Sequence, residues 1–168
     1  LCRTGELPGE LCSYPSMLFG LETALAQCAA KGSAALFDTA FSRGTEGITI
    51  NGLVWMGTFD EMYRRVEEKL KAGFRCVKLK IGAIDWPQEL EMIRFVRSCF
   101  GKEQIELRVD ANGGFANDDA LAKLEQLARY DIHSIEQPIR QKQWPQMAEL
   151  CRLSPIPIAL DEELIGVN

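Results

Sequence analysis

No run of apolar residues in this sequence approaches the ~20 needed to cross a bilayer as a helix. No stripe of Lys and Arg is present either. The 19 basic residues are scattered among 24 acidic ones, and the net charge of −5 leaves nothing to offset nucleic-acid phosphates. The six cysteines (Cys2, Cys12, Cys28, Cys76, Cys99 and Cys151) form no CxxC pair and no metal-ligand cluster. A disulfide framework is therefore not expected. The thiols read as reduced and mostly as small core residues, which points to a cytoplasmic protein. No signal-peptide pattern opens the chain, a true start upstream of Leu1 being equally compatible with that.

What is present is an ordinary globular balance, 46% hydrophobic and 26% charged residues over 168 positions, enough for a domain with a substantial core. Residues 1–15 are rich in Gly, Pro and Cys without a clear period and read as loop. Met17, Leu18, Leu21, Ala24, Leu25 and Cys28 then recur at helical spacing, with Ser16 as the expected N-cap and Gly32 near the end. Residues 33–47 are again irregular. From Ile48 a regular alternation begins. Strands are expected at Ile48–Val54, Cys76–Ile81, Ile105–Val109, Ile132–Ile135 and Ile156–Leu160. Between them lie helices opened by the capping-box spacing of Thr58 and Glu61, by Asp85 before Trp86-Pro87, at about Asn117, and at Trp144. Gly73 and Gly101 stop the first two of these helices.

Five strand–helix alternations at a spacing of ~25 residues imply an α/β fold with a parallel sheet covered by helices. Two architectures fit, an open doubly wound sheet and a TIM-type (β/α) barrel. A dinucleotide-binding sheet carries a Gly-rich phosphate loop after its first strand. Here that strand is followed by Trp55-Met-Gly-Thr58, with no GxGxxG, so the barrel is favoured. A full barrel needs eight units and ~250 residues. The chain is accordingly expected to be the first five βα units of a longer barrel, residues 48–168, preceded by residues 1–47 as the end of another domain and a connecting helix.

Reactive groups of such barrels sit at the C-terminal ends of the strands. The second strand carries Lys78 and Lys80, two apart and so on one face. The third ends in Arg108, Asp110 and Asn112, the fourth in Ser134 and Glu136, the fifth in Asp161-Glu162-Glu163. Asp110, Glu136 and Asp161 thus arrive one βα unit apart, at one structural level. Three converging carboxylates repel one another unless a hard dication lies between them, and Mg²⁺ suits the set, with Mn²⁺ as a substitute. Each piece has a plainer explanation: a lone Asp after a strand is commonly a turn former or helix cap, and a lone KxK a solvated strand face. Their ordered recurrence on four strand ends favours a site. Such a site stabilises the enediolate formed when a proton is removed α to a carboxylate. Lys80 is assigned as the acid/base and Lys78 as its electrostatic helper, because a neighbouring ammonium and a nearby dication depress a lysine pKa.

At these residues the sequence resembles the Lys-base, muconate-lactonizing-like branch of the enolase superfamily. The motifs are Lys78-x-Lys80, Asp110-Ala-Asn112, Ile135-Glu136-Gln137-Pro138 and Leu160-Asp161-Glu162, and the resemblance runs from about Leu18 to the end. It implies that Asp110, Glu136 and Asp161 bind Mg²⁺, that Lys80 contacts the reacting carbon, and that residues 16–31 lead from an α+β capping domain into the barrel. Val77–Gly82, Arg108-Val-Asp110, Asn51–Gly57 and Ile158–Gly166 resemble the branch members of menaquinone biosynthesis that dehydrate a cyclohexadiene carboxylate. On that resemblance Lys80 takes the α-proton and then protonates the departing hydroxyl. Arg108 either helps hold the anionic carboxylate substrate or forms an internal salt bridge to a ligand carboxylate, and Asn112 is a further substrate-binding candidate. The family has one more lysine on its sixth strand, beyond this chain, so the segment alone is expected to be inactive.

Three rival readings remain. A dipeptide epimerase or N-acylamino-acid racemase uses the same metal site but needs the missing lysine. An inactive barrel fragment would expose strand edges and associate, as a homo-oligomer for example. A non-enzymatic anion-binding barrel would function without Lys80. His133, three positions before Glu136, is expected on the opposite strand face toward the helices, as a structural residue. Gly113-Gly114 reads as a βα turn in preference to an anion nest.

Overall fold

A computed structural model describes residues 9–31 and 35–165. The chain divides into two compact units, Leu1–Thr49 with Leu164–Asn168, and Ile50–Glu163. In the first unit a short 3-10 helix, Gly9–Ser13, interrupts what the sequence reads as continuous loop. Helix α1 follows as Pro15–Ala29 and begins one residue before the expected cap Ser16. Pro15 supplies the start itself: its ring presets the helical φ, and its missing N–H would have gone unpaired in the first turn. The α1 ladder closes with the Ala30 N–H on the Ala26 carbonyl, and Lys31 turns away with φ +55°. Gly32, expected at this end, and Cys2 lie outside the described residues. Residues 35–47 form turns with no helix or strand.

The second unit alternates strictly: β1 Gly52–Val54, α2 Phe59–Lys71, β2 Cys76–Lys80, α3 Trp86–Cys99, β3 Glu106–Asp110, α4 Ala120–Leu127, β4 Ile132–Glu136, α5 Trp144–Leu153 and β5 Ile158–Ala159. Helix α2 has the expected reciprocal cap. The Glu61 N–H donates to the Thr58 hydroxyl, and the Thr58 N–H donates to the Glu61 carboxylate at 2.9 Å. Gly73 takes φ +90° just past its end, a conformation that side chains oppose. The helix expected over 117–129 is shorter and ends in a 3-10 turn, Ala128–Tyr130, before Asp131 reverses the chain at φ +50°.

All strand pairs are parallel, and the sheet order is β1-β2-β3-β4-β5. A doubly wound sheet reverses direction at a switch point. Sequential order without a reversal is that of a barrel wall, so the structure decides between the two architectures left by the sequence. The outer strands are shorter than expected, three residues in β1 and two in β5. Among the described residues β1 pairs with β2 and β5 with β4, and Ile48 and Ile50 continue β1 in composition but not in pairing.

Alternation sorts the side chains. Val77, Leu79, Leu107, Val109 and Ile135 are wholly buried and pack in one core with Met62 and Val66 of α2, Met92, Ile93 and Val96 of α3, Leu124 and Leu127 of α4, and Met147 and Leu150 of α5. Burying a side chain of this size contributes roughly 1.5–3 kcal/mol. This outward face anchors the sheet to its helices and leaves the inward face to polar groups. His133 departs from the alternation. The register shifts between Leu107 and Arg108, so that Leu107 pairs with Ile132 but Arg108 with Ser134. The bulge carries the His133 ring to within 3.0 Å of the Ser134 hydroxyl and 3.9 Å of Glu106, on the side of Arg108 and away from the helices. Counting in twos from Glu136 fails because one extra residue intervenes. Cysteine burial also differs from expectation. Cys76 is buried, whereas Cys12, Cys28, Cys99 and Cys151 are exposed, and all five are free.

Candidate active site

Strands β2, β3 and β4 lie side by side with Lys80 opposite Asp110 and Asp110 opposite Glu136. In-register parallel strands therefore place one lysine and two carboxylates at the same height, as the one-unit spacing predicts. Lys78 lies one step lower, and its ammonium reaches up and across β3. It donates to both Glu136 oxygens at 2.9 and 3.1 Å and lies 3.3 Å from Asp110. Lys80 pairs with Asp110 and donates to the Asn112 side-chain oxygen at 2.7 Å. The face of the Trp55 ring, at the end of β1, is 5.5 Å from the Lys80 nitrogen.

The backbone beyond each strand completes the arrangement. Asn112 takes φ +45°, and its N–H donates to Asp110 Oδ1 at 3.0 Å. Its side-chain N–H donates to Glu162 at 2.9 Å. Gly82 and Gly114 meet back to back after β2 and β3: a Cβ on Gly114 would lie 2.8 Å from the Gly82 carbonyl oxygen, so the approach excludes any side chain there. The Gly113 and Gly114 amides donate to the carbonyls of Gln137 and Ala111, which makes this a βα turn and removes the donors that an anion nest would need.

Gln137 and Glu163 belong to the site although their types alone did not single them out. Gln137 is fully buried at φ +38°. Its side-chain oxygen accepts from the Asp161 and Glu163 amides, both at 3.2 Å, and its nitrogen donates to the Ile139 carbonyl and to Glu163. Glu163 in turn accepts from the Lys142 amide at 2.8 Å. The loops after β4 and β5 are thereby tied together, and with them the backbone on either side of Asp161. A signal existed in the sequence, since Gln137 and Glu163 are separated by 26 positions, one βα unit.

Charge is distributed unevenly. Burial would raise Asp110, but hydrogen bonds from Lys80 and the Asn112 amide hold its carboxyl below the ordinary value. Glu136 is pushed up, by burial first and by Asp110 beside it, against the pull of Lys78. Burial opposes the charged form of Lys78, yet Glu136 and Asp110 together raise it above an ordinary lysine. The sequence pattern emphasised repulsion between the two ammonium groups. In the folded chain the carboxylates dominate the surroundings of Lys78.

Two expected members stand apart. Asp161 is exposed just past β5, and among the described residues no three carboxylates gather into a group able to hold a cation. Arg108 donates through two nitrogens to Glu106, at 2.7 and 2.6 Å, so its internal salt bridge is to a residue outside the Asp110, Glu136 and Asp161 set. The chemistry of the donors nonetheless fits a hard dication. Asp110 and Glu136 face a common point with oxygen ligands, and the structure already holds positive charge there, the Lys78 ammonium. Asp161 would supply the third oxygen donor.

An alternating (β/α) wall with KxK, Asp and Glu at successive strand ends defines the enolase class of barrel. Residues 61–168 match the enolase C-terminal domain-like family, and the chain belongs to that family. It is 47% identical over 155 residues to an o-succinylbenzoate synthase of Desulfotalea psychrophila, covering 92% of this chain and 42% of that protein. The crystal structure of MenC from the same organism superposes with a TM-score of 0.74 at 45% identity, over 86% of this chain and 40% of that one. An L-Ala-D/L-Glu epimerase of Francisella tularensis is 29% identical over 114 residues, 67% of this chain and 32% of that protein. The chain thus spans about two-fifths of the length of its o-succinylbenzoate synthase relative and is similar to one part of a barrel enzyme.

Proposed function

We propose that this chain forms the metal- and base-bearing part of a cytoplasmic o-succinylbenzoate synthase, a Mg²⁺-dependent lyase that dehydrates SHCHC in menaquinone biosynthesis. The observation that carries the reading is Lys80, buried and held by Asp110 and Asn112 on the next strand, in a chain 47% identical to a protein of that name. Asp110, Glu136 and Asp161 would hold the ion, which supplies positive charge to the substrate carboxylate as negative charge develops there. Lys80 takes the proton α to the carboxylate, and the C–H electrons pass into the carboxylate as an enediolate. The electrons then return, the C–O bond breaks, and the same Lys80 delivers the proton to the departing hydroxyl as water. One lysine therefore serves both steps and ends in the protonation state in which it began. Lys78, charged, adds positive potential beside Asp110 and Glu136. The Trp55 ring borders Lys80 and shields one side of it from water.

Epimerisation of a dipeptide is the second reading, favoured by the 29% identity to an L-Ala-D/L-Glu epimerase. The two separate in a substrate panel with the full-length protein: SHCHC followed by loss of its absorbance, and L-Ala-L-Glu followed by isotope exchange at the α-carbon. The synthase reading expects rapid Mg²⁺-dependent, EDTA-sensitive loss of SHCHC with little dipeptide exchange. Rapid exchange without SHCHC turnover would establish the epimerase instead.

A further inference from the structure

We infer that Asn112 and Glu162 are positioning residues that fix the place of the Lys80 nitrogen, an inference that rests on Lys80 being the base. A lysine nitrogen ends a flexible four-carbon stem, and a single contact leaves it free to swing. Two acceptors fix it. Lys80 is paired with Asp110 and donates to Asn112 Oδ1 at 2.7 Å. Held from two sides, the nitrogen keeps one position at the end of its stem. Asp110 alone would leave the amine free to turn about a single anchor.

Asn112 performs this only if its amide keeps the oxygen toward Lys80. The partner on the other side enforces that orientation. Asn112 Nδ2 donates to Glu162 Oε1 at 2.9 Å, and a flipped amide would set oxygen against carboxylate and its N–H groups against those of Lys80. The Asn112 backbone is held as well, at φ +45° with its N–H on Asp110. Glu162 carries the sign of a residue kept for a purpose other than stability. Its second oxygen, Oε2, is buried with no hydrogen-bond partner, an arrangement that disfavours folding. Glu162 thus acts on the base at second hand, through Asn112, from the turn after β5 to the turn after β3 to the end of β2.

The test inverts the polarity of the pair in the full-length protein. Asn112→Asp keeps an acceptor for Lys80 but faces Glu162 with a second carboxylate. It should lower kcat about 10²-fold, the loss a misplaced reacting group brings, with KM changed less than about threefold. Adding Glu162→Gln restores the link in reverse, Gln to Asp, and should return kcat to within about tenfold of wild type. A crystal structure of the single variant should show the Lys80 nitrogen moved by about 1 Å. Should Asn112→Asp fail to fold, Glu162→Leu is read in its place and should show the same loss in kcat. Wild-type kcat in the single variant, or a double variant no better than the single one, overturns the inference. Turnover that survives Lys80→Ala removes the base assignment itself, and is distinguishable because the inference alone fails only where Lys80→Ala is inactive.

Discussion

Gln137 has no solvent exposure, a backbone φ of +38° and side-chain hydrogen bonds to Ile139, Asp161 and Glu163, all beside residues proposed to hold a metal. Replacing it by Leu conserves volume but strands the buried Glu163 amide, the Asp161 amide, the Ile139 carbonyl and one oxygen of Glu163. Leaving a buried group unsatisfied costs about 1–3 kcal/mol, so Gln137→Leu should lose at least that much stability in denaturant unfolding. Mg²⁺ affinity by calorimetry should weaken with it, because the Asp161 amide loses its anchor. Stability within about 0.5 kcal/mol of wild type, the ordinary range for an inconsequential surface change, would refute the role. Residues of this kind were the least legible in the sequence. Lys80, Asp110 and Glu136 could be read from it because strand periodicity and one-unit spacing fix both face and height. Which ammonium meets which carboxylate could not: Lys78 reaches past β3 to Glu136, and that depends on side-chain length across a twisted wall. Gln137 was visible only as the centre of Glu-Gln-Pro, and its function depends on a loop 24 residues further on.

At the scale of the element, α2 shows how strongly local chemistry specifies structure. The Thr58–Glu61 box was readable from four residues, and both of its hydrogen bonds form. Thr58→Ala should cost about 1 kcal/mol, measurable as a lower thermal midpoint of the full-length protein. The box is also sensitive to acid. Hydrogen bonds from Thr58 hold Glu61 below the ordinary glutamate value. Its contribution is therefore complete above the unfolded-state pKa and is lost as pH falls through the lower folded value. Acid titration of Glu61→Gln against wild type checks this: the difference in stability should shrink on acidification, and a constant difference would contradict it. The elements read less well were those decided by pairing. The extents of β1 and β5 depend on their pairing with β2 and β4, and the bulge at His133 depends on register with β3, neither of which is a property of the strand's own residues.

For the whole chain, the sequential order β1 to β5 follows from right-handed βα units each packing on the last, and the alternation of motifs foretold it. The metal proposal belongs at this scale because its three donors come from three separate strand ends. A ligand that binds only the folded state stabilises by mass action, about 2.7 kcal/mol at a hundred times Kd. Millimolar Mg²⁺ should accordingly raise the unfolding midpoint of the full-length protein, EDTA should reverse the rise, and Glu136→Gln should diminish it. A midpoint indifferent to Mg²⁺ in wild type would count against a site at these carboxylates.

The most direct test of Lys80 as the base on this wall is turnover of SHCHC by the full-length wild type and Lys80→Ala proteins at saturating Mg²⁺, with circular dichroism to establish that both are folded. General acid–base catalysis contributes about 10²- to 10⁴-fold, so Lys80→Ala should lose at least that factor in kcat while retaining Mg²⁺ binding. A folded, metal-binding Lys80→Ala protein that turns over SHCHC at the wild-type rate would contradict the mechanism at its centre.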